Sequence, residues 1–408
     1  PFTLNFICPG MAGDGFVFGV NYWPRNKAMR WWKDFDASEV DEEFTLIAEI
    51  GLTVVRIFLL WEDFQPDPFS VDSSCLAHLK TTADIAKLHS LQLDVTFFTG
   101  HMSGPNWIPE WMLDGSAVSA PYVRQVVSGK GKIVLPHTTG GYKNMYTDED
   151  VRTASLLLVR RVVELLAEHP AVWCWNLGNE PDLVVSPIEE SSIVQWVQDM
   201  KKEITIADKR NRPILFGLHI LSLLERNGFR PDLISKELGT SVMHAYPMYT
   251  RWAKGPLDPN LVPYSCVLAH ALTGCPTLME EWGGCTLSYP ERMEGVAEFD
   301  HELGKTWQWS CYNEDRKQFM ASEAEFKKYV QQVIPTLRQV GATGAFLWCF
   351  ADYSPSLWTQ PPCKESIHER FFGLVRADGT LKPHAEWLQQ FIAQLQENSV
   401  QPPFELTL

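Results

Sequence analysis

Two carboxylates stand where apolar runs end. The first closes Trp173-Cys174-Trp175-Asn176-Leu177-Gly178-Asn179-Glu180-Pro181. The apolar start reads as a strand buried on both faces. Pro181 has no N–H to give a ladder, so the strand stops near Glu180. An amide and a carboxyl are left side by side at a C-terminal strand end, where a parallel β/α protein carries its active site. The second run is Pro276-Thr277-Leu278-Met279-Glu280-Glu281-Trp282-Gly283. Taken alone, Asn179-Glu180-Pro181 reads equally well as an ordinary turn. Two together are equipment for proton transfer and nucleophilic attack. Adjacent strand residues point to opposite faces, so only one of Glu280 and Glu281 is expected to face inward.

The rest of the chain supplies elements to hold such a pair. Strand candidates begin at Phe16-Val17-Phe18-Gly19-Val20-Asn21-Tyr22-Trp23, Thr53-Val54-Val55-Arg56-Ile57-Phe58-Leu59-Leu60-Trp61 and Leu93-Asp94-Val95-Thr96-Phe97-Phe98-Thr99-Gly100-His101. Later ones are Pro213 to Leu218, Ser241 to Pro247 and Gly344 to Phe350. Helical patterns separate them: Ser38 to Ile50 with Ser38 as N-cap, Asp72 to Ser90, and Thr147 to His169 with Thr147 and Asp150 as a capping box. A further helix opens on Ser186-Pro187-Ile188-Glu189, others span Ser322 to Val340 and Pro383 to Leu395, and Gly51 is a C-cap. This alternation predicts an α/β fold, a (β/α)8 TIM barrel with long βα loop insertions at about 102–146 and 284–321. The barrel is expected over about 16–395 of a single domain, 1–408. Arg56 lies inside an apolar strand and needs a partner there, structural or functional. His244 and Tyr246 are two apart and share one strand face.

Asn179-Glu180-Pro181 after one apolar strand and Glu281-Trp282-Gly283 after another resemble the retaining glycoside hydrolases of clan A, and family 5 most of all. In that clan the first Glu ends strand 4 and the second ends strand 7. The 101 residues between Glu180 and Glu281 fit three βα units. The resemblance implies Glu180 as acid/base, with a raised pKa, and Glu281 as the ionised nucleophile, chosen over Glu280 because it precedes Trp-Gly. Arg56 and Tyr246 are implied to hold Glu281, and Asn179 to bind the sugar's 2-hydroxyl. Trp348 is the implied floor beneath the sugar, with His101, His244, Trp61, Trp107 and Trp282 as supporting or substrate-binding residues. Trp107 and Trp111 are candidate sugar platforms that read equally well as packing, and Trp307 and Trp309 belong to the second insertion, on the functional face of such a barrel. The implied reaction is double displacement at a β-linked manno-configured oligosaccharide or polysaccharide, with a β-glucosidase or endo-β-1,4-glucanase as alternative. A non-catalytic carbohydrate-binding barrel would have no need of both carboxylates. No metal or cofactor is implied.

Composition narrows the partners. A net charge of −15 argues against nucleic acid, whose phosphates need a basic face. No run approaches the roughly 20 apolar residues of a membrane span. Pro1 to Gly15 lacks a basic region followed by an apolar stretch, so a cytoplasmic location is the expectation. The nine cysteines include no Cys-x-x-Cys pair, which suits reduced thiols.

Overall fold

The computed structural model describes residues 15–113, 126–128, 132–134, 141–184, 189–287, 296–300, 304–311 and 314–399. Eight parallel strands close into a barrel: β1 Val17–Tyr22, β2 Val54–Phe58, β3 Gln92–Thr96, β4 Val172–Asn179, β5 Ile214–His219, β6 Ser241–His244, β7 Thr277–Gly283 and β8 Gly344–Trp348. Each strand pairs with its sequence neighbours, and β8 returns to β1. The strands are buried on both faces, which is why they read as unbroken apolar runs rather than alternating ones.

The helical layer is α1 Ala37–Ile50, α2 Ser73–Leu88, α3 Glu149–Leu166, α4 Glu190–Ala207, α5 Pro231–Leu238, α6 Leu261–Thr273, α7 Glu323–Gln339 and α8 Pro383–Ser399. Each long helix turns an apolar stripe to the barrel; in α3 it is Val151, Leu158, Val159, Val162 and Leu166. Two caps differ from expectation. Asp36, not Ser38, caps α1 by accepting from the Ser38 and Glu39 amides, and Asp148, not Thr147, caps α3 by accepting from Val151 N at 3.0 Å. In both cases a carboxylate stood beside the hydroxyl and took the amides. Gly51 does close α1 in a left-handed conformation. The expected start of α4 at Ser186-Pro187-Ile188 lies outside the described residues.

Both long insertions leave the C-terminal rim. The one after β3 carries short strands at Asn106–Trp107, Val126–Ser128 and Lys132–Val134. The one after β7 carries an antiparallel sheet of Val296–Asp300, Gly304–Cys311 and Glu314–Phe319. Inside the barrel, the N-terminal end is plugged by Val17, Val54, Trp173, Cys174, Leu215, Val242, Leu278 and Phe346. Among the described residues, no helix is long and apolar enough to cross a membrane. Cys75, Cys174, Cys266, Cys275, Cys285, Cys349 and Cys363 are free.

Candidate active site

The C-terminal end of the barrel is as polar as the other end is greasy. Arg56, fully buried on β2, is its hub. Its Nη1 donates to Glu281 Oε2 at 3.1 Å and to Asn21 Oδ1 at 3.1 Å, its Nε donates to Thr96 Oγ1 at 3.0 Å, and its Nη2 lies 3.1 Å from Glu280 Oε2. Glu280 also accepts from Asn176 Nδ2 at 2.8 Å and meets His244 Nε2 at 3.0 Å. Burial alone would lower the Arg56 pKa, but the Glu280, Asp94, Glu281 and Glu180 charges around it raise it.

Glu280 corrects the alternation argument. Both glutamates turn inward, because β7 carries a bulge: Met279 pairs with Met243, and Glu281, two residues on, pairs with His244, the very next residue of β6. The extra residue rotates the strand, so Glu280 and Glu281 both reach Arg56. A second irregularity ends β4 between Asn176 and Asn179. There Glu180 takes φ +44°, a conformation that costs an ordinary L-residue energy and that clusters at functional positions. Gly217 on β5 makes room for the network: a Cβ there would stand 2.7 Å from His244 Nε2 and 2.8 Å from Glu280 Oε2.

His244 ties the carboxylates together. Its Nδ1 lies 3.3 Å from Glu180 Oε1 and 3.5 Å from Glu281 Oε2. Tyr246 donates its hydroxyl to Glu281 Oε1 at 2.7 Å. One oxygen each of Glu180 and Glu281 and one His244 nitrogen lie within 4.8 Å of one another. Those three side chains are also the group among the described residues with the spacing to hold a metal ion. The imidazole is held protonated, however: burial would lower its pKa, but Glu281 and the hydrogen bonds to Glu180 and Glu280 raise it to about 9. In that form both ring nitrogens are donors to the carboxylates around them.

The carboxylates differ from the expected order. Burial pushes Glu180 up, but His219, His244 and His101 outweigh it and hold Glu180 down, to about 2. Burial and the Glu180 charge raise Glu281, against His244, Arg56 and Tyr246. His219 was not foreseen from the sequence. It ends β5 as a single histidine after an apolar run, and burial, against the Glu180 charge, lowers its own pKa. The Asp94 carboxyl is pushed well up, by burial and then by Glu280.

A cavity of about 760 Å³ opens above these groups, lined by His101, Asn179, Glu180, His219, Tyr246, Glu281 and Trp348, among others. Asn179 donates to His101 O at 2.6 Å, leaving its buried Oδ1 without a partner and able to accept from a bound hydroxyl. Of the tryptophans singled out, Trp348 and Trp309 reach the cavity. Trp61, Trp107 and Trp282 do not. Trp61 donates to Gln65 and packs on Phe98, Trp107 donates to Met102 O, and Trp282 faces Tyr329 in the helical layer. Trp111 likewise donates to Gln65 O. Their apolar bulk serves the core, as large aromatic residues mostly do. Trp252, which the sequence did not single out, lines the cavity and is 45% exposed.

No protein-family model matches the chain. It is 25% identical over 307 residues to mannan endo-1,4-β-mannosidase A of Hypocrea jecorina, covering 67% of this chain and 62% of that protein. It is 23% identical over 294 residues to mannan endo-1,4-β-mannosidase A of Emericella nidulans, covering 69% of each. Among solved structures, an exo-β-1,4-mannosidase from Opitutaceae bacterium strain TAV5 superposes with TM-score 0.73 at 22% identity, over 95% of this chain and 61% of that one. A GH5_18 protein from Streptomyces cattleya in complex with Manβ1-4GlcNAc superposes with TM-score 0.72 at 18% identity, over 95% of this chain and 82% of that one. The chain thus spans about three fifths of the Hypocrea protein and of the Opitutaceae structure. By its closed barrel the chain is a (β/α)8 protein, similar in sequence to the mannan endo-1,4-β-mannosidases and in fold to the exo-β-1,4-mannosidase and GH5_18 structures.

Proposed function

We propose that this chain is a retaining glycoside hydrolase acting on β-linked, manno-configured oligosaccharides or polysaccharides. The observation that carries the reading is the approach of Glu180 and Glu281 across one cavity, with an oxygen of each within 4.8 Å. Double displacement needs two carboxyl groups about 5–5.5 Å apart, whereas inversion through an interposed water needs about 6.5–9.5 Å. The manno-configured substrate rests on the relatives: the Hypocrea and Emericella proteins are named for mannan, and the Streptomyces structure holds Manβ1-4GlcNAc.

In this reading Glu281 attacks the anomeric carbon. Arg56 and Tyr246 occupy its two oxygens, orient it and favour its charged form. Glu180 protonates the leaving oxygen. In the free site its proton resides on His244, 3.3 Å away, so the acid form requires one shift from Nδ1 to Oε1 with no change in net charge. His244 keeps its Nε2 hydrogen bond to Glu280 throughout. In the second half-reaction Glu180 takes the proton from water, and attack on the glycosyl-enzyme ester restores Glu281. Asn179 Oδ1 accepts from the sugar's 2-hydroxyl, and Trp348 lies beneath the ring.

The test is hydrolysis of p-nitrophenyl β-mannoside against β-glucoside, with Glu281→Ala as blank. Preferential release from the mannoside, lost in the variant by about 10³-fold or more and restored by azide, is the expected result. Equal or better turnover of the glucoside would sink the manno assignment, and full activity in Glu281→Ala would sink the nucleophile.

A further inference from the structure

The cavity holds an acid that neither half-reaction uses. Glu369 sits on the 3-10 turn Ile367–Phe371 after β8 and is 6% exposed. Its Oε2 lies 3.4 Å from Trp348 Nε1, its Oε1 lies 3.5 Å from the Tyr249 hydroxyl, and the Ser103 side chain faces it. His368 Nε2 is 3.5 Å away, but burial holds that imidazole's pKa near 3, so it is neutral. Burial raises Glu369 to about 7, the Ser103 and Trp348 donors lower it, and the Glu281 and Glu180 charges raise it further. A carboxyl held by neutral donors keeps acceptor capacity for hydroxyl groups.

Behind Glu369 three loops meet. Ser366 packs so closely on Gly104 of the β3 loop that a Cβ there would stand 2.8 Å from Ser366 Oγ. Trp309, from the insertion after β7, donates to Glu365 O at 3.2 Å. From below, the buried Lys382 ammonium donates to Phe371 O at 3.2 Å and to Asp352 at 2.6 Å, fixing the end of the turn. These contacts hold the turn, the β3 loop and Trp309 against one another at this flank of the cavity. On the other, Ile220, Leu221, Leu224 and Trp252 line it beside Glu180, where a leaving group departs.

A pyranose with C1 at Glu281 and its face on Trp348 has C4 across the ring from C1. We infer that Glu369 is the end stop of the pocket, accepting hydrogen bonds from the O4 and O6 hydroxyls of the terminal sugar, so that cleavage proceeds from the non-reducing end. A β-1,4 chain continues through O4, and a carboxyl backed by those loops at O4 leaves it no path. The inference rests on the functional reading above.

Its test uses the whole chain with p-nitrophenyl β-mannoside, the 4-deoxy and 6-deoxy analogues, and reducing-end-labelled β-1,4-mannohexaose. Wild type should release mannose stepwise, leaving labelled pentamer first. Each deoxy substrate should lose about 10- to 150-fold in kcat/KM, the range for a hydrogen bond to a charged group. In Glu369→Ala that penalty should shrink to within about twofold for at least one analogue, as expected when the deleted partner was the one bonded. Glu369→Gln keeps the volume and one acceptor, and should fall between them; it carries the comparison if the alanine variant melts early. A wild type active on the mannoside, but with the same deoxy penalties in all three proteins or with internal cuts in the hexaose, overturns the inference alone. A wild type that turns over no β-mannoside overturns the functional reading and the inference with it.

Discussion

The two ends of the barrel interior solve the same packing problem with opposite chemistry. At the N-terminal end, Val17, Val54, Trp173, Cys174, Leu215, Val242, Leu278 and Phe346 close the tube with apolar side chains drawn from every strand except β3. At the C-terminal end the same strands, β8 excepted, contribute Asn21, Arg56, Asn176, Gly217, His244 and Glu280, with Asp94 from β3. The plug is stabilised by removing apolar surface from water and makes no directional demand. The polar end stabilises only if every partner is present, because an uncompensated charge buried there is costly. The first end should therefore govern whether the barrel stands, and the second whether it turns over.

The sharpest way to break that contrast is Arg56→Met. It strands Glu280 and Glu281 in a buried site, which costs about 3–5 kcal/mol of stability, and releases Glu281 from its orienting donor. Activity should drop by about 100-fold or more, the scale seen when a preorganised donor is lost; kcat within a few-fold of wild type would dissolve the distinction. Phe346→Ala is the converse. It opens a void in the plug and should cost about 3–5 kcal/mol in denaturant melts, with kcat of the folded protein changed by no more than about twofold. A large kcat loss would mean that the two ends are mechanically coupled. The mildest perturbation is pH. His244 binds its proton more tightly folded, at about 9, than at its ordinary 6.5. Its contribution to stability is therefore fully present below 6.5 and lost as pH rises through about 9, and the alkaline limb of kcat/KM should fall near the same upper value. In His244→Gln both dependences should flatten. A wild-type stability that rises over that window would contradict the protonated, doubly bonded imidazole.

The same contrast explains what was legible in the sequence. Strands buried on both faces announce themselves as apolar runs, so the barrel and the ends of β4 and β7 could be read directly. Arg56 was visible because a charge in such a run is conspicuous. Glu280 was misjudged because alternation assumes a regular strand, and the β7 bulge that breaks it leaves no composition mark. Trp61, Trp107 and Trp282 were over-read because aromatic residues suit a sugar platform and a core alike, and only packing separates the two. Glu369 was not singled out because it sits on an irregular turn, where no periodicity assigns a face. The expected proton order of the two catalytic candidates missed His219, whose position opposite Glu180 depends on strand register rather than on any local motif.

The bare backbone at Gly217 has a consequence for the order in which this site can change. A single methyl there would occupy the space where His244 and Glu280 meet, so the position is closed to side chains while either partner remains. It opens only once both are replaced by something smaller. In a lineage, a side chain at 217 can only follow the loss of that contact, never precede it. Once fixed, it blocks the reversion, because the restored histidine or glutamate would find its place taken. The glycine thus acts as a one-way gate on the history of the network.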